Sequence, residues 1–192
     1  VLCLEVPMPA VQAAAEAGKA AGATVLLNLS PYADVPATLP AAVDVLVVNG
    51  HEAELFLGAP EDARAQGIAG STAAGSTDWD SRLNAFIQRG VERVVVTLGP
   101  DGAVVLDATA STEVGGDDGR ISMIGAPRVE AVDTTGCGDA FMGALAHRLA
   151  EGSSLVEAAR LAVEVGALAA TRKGAQTSYP SFAHLAATQG SD

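Results

Sequence analysis

Val132-Asp133-Thr134-Thr135-Gly136-Cys137-Gly138-Asp139-Ala140-Phe141 is a polar turn that runs straight into an apolar-periodic segment. Two glycines flank Cys137, so the backbone can turn tightly there and expose its N–H groups. From Ala140 to Leu149, residues Phe141, Leu145 and Leu149 share one face, the spacing of an amphipathic helix. A helix N-terminus behind such a turn makes an anion site, where the charge of a transferring phosphoryl group can be stabilised. Asp139 falls in the first turn, placed to accept a proton from an attacking hydroxyl. The plainer reading is a helix cap, because Asp before a helix is common, and a lone Gly-x-Gly does not outweigh it. Two rival motifs fail. Gly136 to Phe141 lacks the third glycine of a dinucleotide fingerprint, and Gly18-Lys19 lacks the spaced glycine and the Ser/Thr of a Walker A loop.

Outward from this turn, apolar strands alternate with helices. Strands are expected at Val1–Leu4, Thr24–Leu29, Asp44–Val48, Arg93–Leu98 and Ala103–Leu106, the last two joined as a hairpin by the turn Gly99-Pro100-Asp101-Gly102. Helices are expected at Val11–Ala21, Glu52–Leu57, Asp80–Gln88 and Leu155–Ala170, with a short one at Phe182–Ala187. Glu61–Thr77 and Glu113–Arg120 are polar, Gly-rich loops. Continuous apolar strands between helices indicate an α/β fold with a parallel sheet covered on both faces. Ligands of such sheets bind beyond the carboxyl ends of the strands, which would put Asn28, Asn49, Glu52, Thr97 and Gly99 along one rim.

Composition narrows the chemistry. The 192 residues suffice for one substantial core, and 49% of them are apolar but only 4% aromatic, so Ala, Val, Leu and Ile must build it. A formal net charge of −12 argues against nucleic acid as a partner. A bound polyphosphate would need its positive potential from backbone N–H groups, a helix N-terminus and metal ions. The two cysteines, Cys3 and Cys137, form neither a disulfide framework nor a zinc pattern, so reduced thiols and a cytoplasmic protein are expected. No apolar run reaches membrane-spanning length, and the apolar start without Met reads as a cut through a strand.

The stretch Val132–Phe141 resembles the C-terminal signature of the ribokinase-like (PfkB) carbohydrate kinases. The resemblance implies Asp139 as catalytic base and Gly136, Cys137 and Gly138 as the anion hole, with Cys137 where Ala is more usual. Val48-Asn49-Gly50-His51-Glu52 is similar to the family's Asn-x-x-Glu element, which orders Mg²⁺ and the phosphates. An amide and a carboxylate at a strand end suit a hard, water-rich Mg²⁺, and Asn49 can cap the following helix as well. Thr97-Leu98-Gly99-Pro100-Asp101-Gly102 resembles the strand and turn that contact ATP, through Thr97, Gly99 and Gly102; by itself it reads as a hairpin turn. Thr171-Arg172-Lys173-Gly174-Ala175-Gln176-Thr177-Ser178 resembles the segment that encloses a monovalent cation such as K⁺. Carried over, its contacts are Asp133, Thr135, Ala169, Arg172, Gly174 and Ser178, several through backbone carbonyls; Arg172-Lys173 alone would read as a solvated helix end. Glu5 resembles a position that contacts the sugar.

The resemblance implies a three-layer α/β/α sandwich with a mostly parallel sheet. Residues 1–192 would be its C-terminal nucleotide-binding and catalytic portion, lacking the N-terminal part and its β-lid. The implied reaction is direct transfer of the ATP γ-phosphate to a primary hydroxyl of a small sugar. D-ribose at its 5-hydroxyl leads, with fructose, nucleoside and ketodeoxygluconate kinases as alternatives. Without the lid, which also serves homodimerisation in longer members, the isolated chain is expected to be poorly active. A different reading is a non-catalytic nucleotide-binding or structural remnant, or a half that pairs with a separately made N-terminal half through the edge at Val1–Leu4. Cys137 carries an expectation of its own: a thiol at a helix N-terminus either has a depressed pKa and reacts readily, or simply fills the space of Ala.

Overall fold

The computed structural model describes residues 1–58, 78–110, 119–181 and 185. The loop expected at 61–77, most of the polar stretch at 113–120 and most of the terminal helix at 182–187 lie outside the described residues. The chain divides into two compact units, Val1–Gly99 with Ala103–Met123, and Pro100–Gly102 with Ile124–Asp192.

A five-stranded sheet organises the first unit. Its strands lie in sequence order: β1 (Leu26–Asn28), β2 (Val45–Asn49), β3 (Arg93–Thr97), β4 (Ala103–Asp107) and β5 (Ile121–Ile124). β1, β2 and β3 are parallel, and β4 returns antiparallel to β3 with Thr97 opposite Ala103. The register stacks like faces. Leu46 pairs with Val94 and Val94 with Leu106, while Val48 pairs with Val96 and Val96 with Val104. These residues share one core with Val11 and Ala15 of α1 (Met8–Ala20), Ala53 and Phe56 of α2 (Gly50–Leu57), and Trp79, Leu83 and Phe86 of α3 (Trp79–Gln88). The alternate residues Val45, Val47, Val95 and Val105 are buried too. That is why these strands read as unbroken apolar runs and not as a period-two alternation.

Local chemistry sets the ends of the elements. Pro7 and Pro9 fit the start of α1, where N–H groups have no helical acceptor, and Gly22 leaves it in the left-handed region at φ 73°. Asp44, just before β2, accepts a hydrogen bond from Val25 N–H at 2.8 Å and pairs with the Lys19 ammonium, tying α1 and β1 to the head of β2. Burial pushes the Asp44 carboxyl up, but Lys19, the Val25 N–H and the charge of Arg93 together hold it below its ordinary value.

Three expectations change. Val1–Leu4 is not a strand: it contributes a single parallel bridge, Leu2 to Leu27, before bending toward Pro7. Beyond the bridge, Leu4 N–H donates to the Ser30 carbonyl at 3.3 Å, and the chain then bends before a continuous strand forms. β5 was not expected, because Ile121-Ser122-Met123-Ile124 is too short to show a period. The turn at Gly99–Asp101 is a short 3-10 turn.

The second unit holds a packed helix pair, α4 (Cys137–Ala150) and α5 (Leu155–Ala169). Ser154 caps α5 through a reciprocal capping box with Glu157. At Gly166 α5 lies close to the start of α4: a β-carbon there would make ordinary contacts, 3.5 Å from the Cys137 carbonyl oxygen and 3.7 Å from Phe141 Cβ.

Candidate active site

In the first unit the expected nucleotide residues gather at the carboxyl ends of two neighbouring parallel strands. Asn49 ends β2 and Thr97 ends β3, and the register sets them side by side. Thr97 Oγ1 donates to the Val48 carbonyl at 3.4 Å. Asn49 caps α2: its Oδ1 accepts from Glu52 N–H at 2.9 Å, and Glu52 Oε2 accepts from Asn49 N–H at 2.8 Å. The Asn-x-x-Glu spacing is therefore a complete capping box, and Glu52 is 5% exposed as a result. The same hydrogen bonds fix both side-chain oxygens at the strand end. Gly99, at φ 60°, opens the turn beyond β3. Glu5 is exposed in the bend before Pro7 and makes no hydrogen bond to a described residue.

The second unit carries the turn. α4 begins at Cys137, three residues earlier than its apolar period suggests, and Gly136 caps it at φ 78°. A glycine in the left-handed region lets the chain enter the helix without the strain another residue would meet. Cys137 N–H donates to the Thr134 carbonyl at 3.2 Å and closes the turn. Among the described residues the N–H groups of Gly136, Gly138 and Asp139 have no backbone acceptor. Of the three expected anion-hole donors, Gly136 and Gly138 are thus available, and Cys137 builds the turn. Asp139 is exposed in the first helical turn.

Asp133 anchors this turn. Its carboxylate accepts from Thr135 N–H at 3.0 Å and from Gly174 N–H at 2.9 Å, while Val132 and Asp133 N–H both donate to the Ala170 carbonyl, at 2.8 and 3.1 Å. The Gly174 N–H, the Thr135 backbone and side chain, and the Lys173 charge hold the Asp133 carboxyl at about 2, against a small opposing effect of burial. The segment it grips is itself folded. Arg172 N–H donates to the Ala169 carbonyl at 3.4 Å, and the buried Ser178 hydroxyl donates to the Ala175 carbonyl at 2.7 Å. Asp133, Thr135 and Gly174 are thus directly joined, with Ala169 at the end of α5 and Arg172 and Ser178 in the segment that follows it. A carboxylate that stays ionised beside loop carbonyls suits a large, weakly hydrated cation. Among the described residues no three His, Cys, Asp or Glu cluster as a metal cage.

Replacing Asp133 with Asn leaves one acceptor oxygen for two N–H groups and should loosen residues 171–178. The folded pKa is depressed from 3.8 to about 2, so the carboxylate's contribution is complete above 3.8 and is lost as pH falls through about 2. The thermal midpoint of the native protein should exceed that of the variant at neutral pH, and the gap should close between about pH 4 and about pH 2. A constant gap over that range would assign the effect to something other than the carboxylate.

The Cys137 thiol is shifted in the direction opposite to the reactive-thiol expectation. Burial, then the charge of Asp133, pushes the thiol above its ordinary value, and its Sγ sits 3.9 Å from the Asp133 carbonyl oxygen. The space-filling alternative agrees with this.

Residues 1–181 match the pfkB family carbohydrate kinase, and the chain belongs to that family. It is 32% identical to the ribokinase of Staphylococcus aureus over 178 residues, 92% of this chain and 51% of the relative. It is 34% identical to the deoxyribokinase of Salmonella typhi over 183 residues, 95% of this chain and 53% of the relative. The chain therefore spans about half the length of the curated relatives it matches. A solved structure of Arabidopsis thaliana ribokinase complexed with ribose and ATP superimposes with a TM-score of 0.79 at 26% identity, covering 100% of this chain and 56% of that one. The fold is the ribokinase-like α/β fold expected from the sequence. No helix among the described residues is long and apolar enough to cross a membrane.

Proposed function

We infer that this chain is the nucleotide-binding and catalytic portion of an ATP-dependent kinase that phosphorylates D-ribose on its 5-hydroxyl. The observation that carries the reading is the turn at 133–139, where Asp133 stitches a glycine-capped helix start to Gly174 and, among the described residues, the Gly136 and Gly138 N–H groups and the Asp139 carboxylate have no hydrogen-bond partner. Asp139 takes the proton of the attacking hydroxyl, and the oxygen attacks the γ-phosphorus in line with the departing ADP oxygen. The free N–H groups stabilise the negative charge on the γ-phosphoryl oxygens. Asn49 and Glu52 would hold Mg²⁺, which neutralises phosphate charge when bound. Thr97, Gly99 and Gly102 line the nucleotide. Asp133, Thr135, Ala169, Arg172, Gly174 and Ser178 would hold K⁺, whose charge supports the anion-binding turn from outside the reaction. Glu5 contacts the sugar.

A second pentose is supported by a specific observation: identity to the deoxyribokinase, 34%, is no lower than to the ribokinase, 32%. Both sugars carry a primary 5-hydroxyl and differ only at C2, so the phosphoryl-transfer residues serve either.

The test is a calorimetric titration of Mg-ATP into the folded chain, in K⁺ and then in Na⁺ alone, followed by ribose and 2-deoxyribose. Binding that tightens in K⁺ supports the turn and the cation loop together. No binding by a chain with native circular dichroism sinks the kinase reading and leaves a structural remnant.

A further inference from the structure

Gly136 is held by more than hydrogen bonds. Those of Asp133 fix Thr135 and Gly174, yet neither reaches Gly136, whose left-handed backbone has the widest freedom in the turn. What bears on Gly136 is Ala175 of the cation-loop segment and Tyr179 just past it. A β-carbon on Gly136 would lie 3.0 Å from the Tyr179 hydroxyl oxygen, 3.0 Å from Ala175 Cβ and 3.1 Å from Ala175 Cα. The phenol tip therefore rests against the bare face of this glycine. The Tyr179 ring is anchored behind the tip, packed with Cys137, Ala144, Leu161 and Leu168 against the cluster of Ala140, Val165 and Ala169. Burial, then the charges of Asp139 and Cys137, pushes the phenol above its ordinary value.

We propose that Tyr179 is a positioning residue of the candidate active site: its hydroxyl, seated on Gly136, holds the left-handed turn that aims the Gly138 N–H and the Asp139 carboxylate. Its functional meaning rests on the kinase reading, but the contact does not. A ring that only packs would be replaced without loss by Phe. A hydroxyl that holds the turn would not be, because removing one atom at the tip leaves a gap at the glycine and forfeits the contact there.

Cys137 supplies the probe, since it is the first helical residue after Gly136. With Cys3 replaced by Ser it is the chain's only thiol, and its alkylation by iodoacetamide reports opening of the turn. Tyr179→Phe should keep the thermal midpoint within about 2 °C while alkylation of Cys137 accelerates about threefold or more. Tyr179→Val should lower the midpoint and accelerate alkylation further. Amide exchange at Gly138 and Asp139 should quicken in step in the Phe variant, which gives a second readout that does not use the thiol. Alkylation and exchange at native rates in Tyr179→Phe would overturn the proposal and leave Tyr179 a packing residue. Neither readout uses nucleotide, so failure of Mg-ATP to bind would sink the kinase reading and leave this one standing.

Discussion

Asp139→Asn is expected to slow ATP-dependent sugar phosphorylation by about 10²- to 10⁴-fold, the usual contribution of a positioned general base. The substitution is nearly isosteric and lies on an exposed position in the first turn of α4. Loss of an acidic group at a helix N-terminus costs only about 0.3–1 kcal/mol, so a slowed enzyme would still be a folded one. The sign of the effect on nucleotide binding separates the roles. Removing a negative charge beside a triphosphate lowers repulsion, so affinity for Mg-ATP should hold or rise, by up to about tenfold. Because the chain spans about half the length of its curated relatives, rates are best read on a full-length protein of this family that contains the 192-residue sequence. Calorimetry on the same proteins gives the affinity. A rate within tenfold of the parent would remove Asp139 as base, and a large fall in affinity would recast it as a ligand of the nucleotide.

This pattern, with rate lost and binding kept, is what the division of labour in the turn requires. Asp133 is consumed by structure: both its oxygens accept backbone N–H groups, one of them 41 residues away. Cys137 N–H closes the turn onto Thr134. On the proposed reading the chemistry falls to Asp139 and the N–H groups beside it.

The sequence revealed some of these features and hid others, for physical reasons. β2, β3 and β4 are unbroken Val and Leu runs because they are buried on both faces, and such runs bounded by turn residues are readable. Asn49 and Glu52 were readable as a pair because a capping box is local, three residues apart. Val1–Leu4 was misread because apolar content cannot say whether a neighbour offers a ladder or a single bridge. The Asp133 tie to Gly174 and the seat of Tyr179 on Gly136 span some forty positions, and no spacing rule reaches across them. Cys137 shows two effects in opposition: a helix N-terminus lowers a thiol's pKa, but here burial and the Asp133 charge prevail.

Gly102→Ala is expected to destabilise the protein by about 3 kcal/mol or more, from overpacking and a strained backbone together. Gly102 has φ 97°, and an added β-carbon would stand 1.9 Å from the Ile124 carbonyl oxygen, 2.7 Å from Ala126 N and 2.9 Å from Gly125 C. All three are backbone atoms, so no rotamer change can relieve the clash, and the 124–126 segment itself would have to move. Gly99, in the same connection, is the control. It is also left-handed, at φ 60°, but nothing lies within 4 Å of its absent β-carbon. Gly99→Ala should therefore cost only backbone strain, about 1–2 kcal/mol. In a domain of this size 1 kcal/mol shifts the thermal midpoint by about 2–4 °C, so Gly102→Ala should fall well below Gly99→Ala in a melting series. The comparison also decides what Gly102 is for. If its lack of a side chain serves the 124–126 contact, the folded fraction of Gly102→Ala should bind Mg-ATP nearly as the parent does. If the glycine is needed against the nucleotide, the variant should melt close to Gly99→Ala and lose affinity instead.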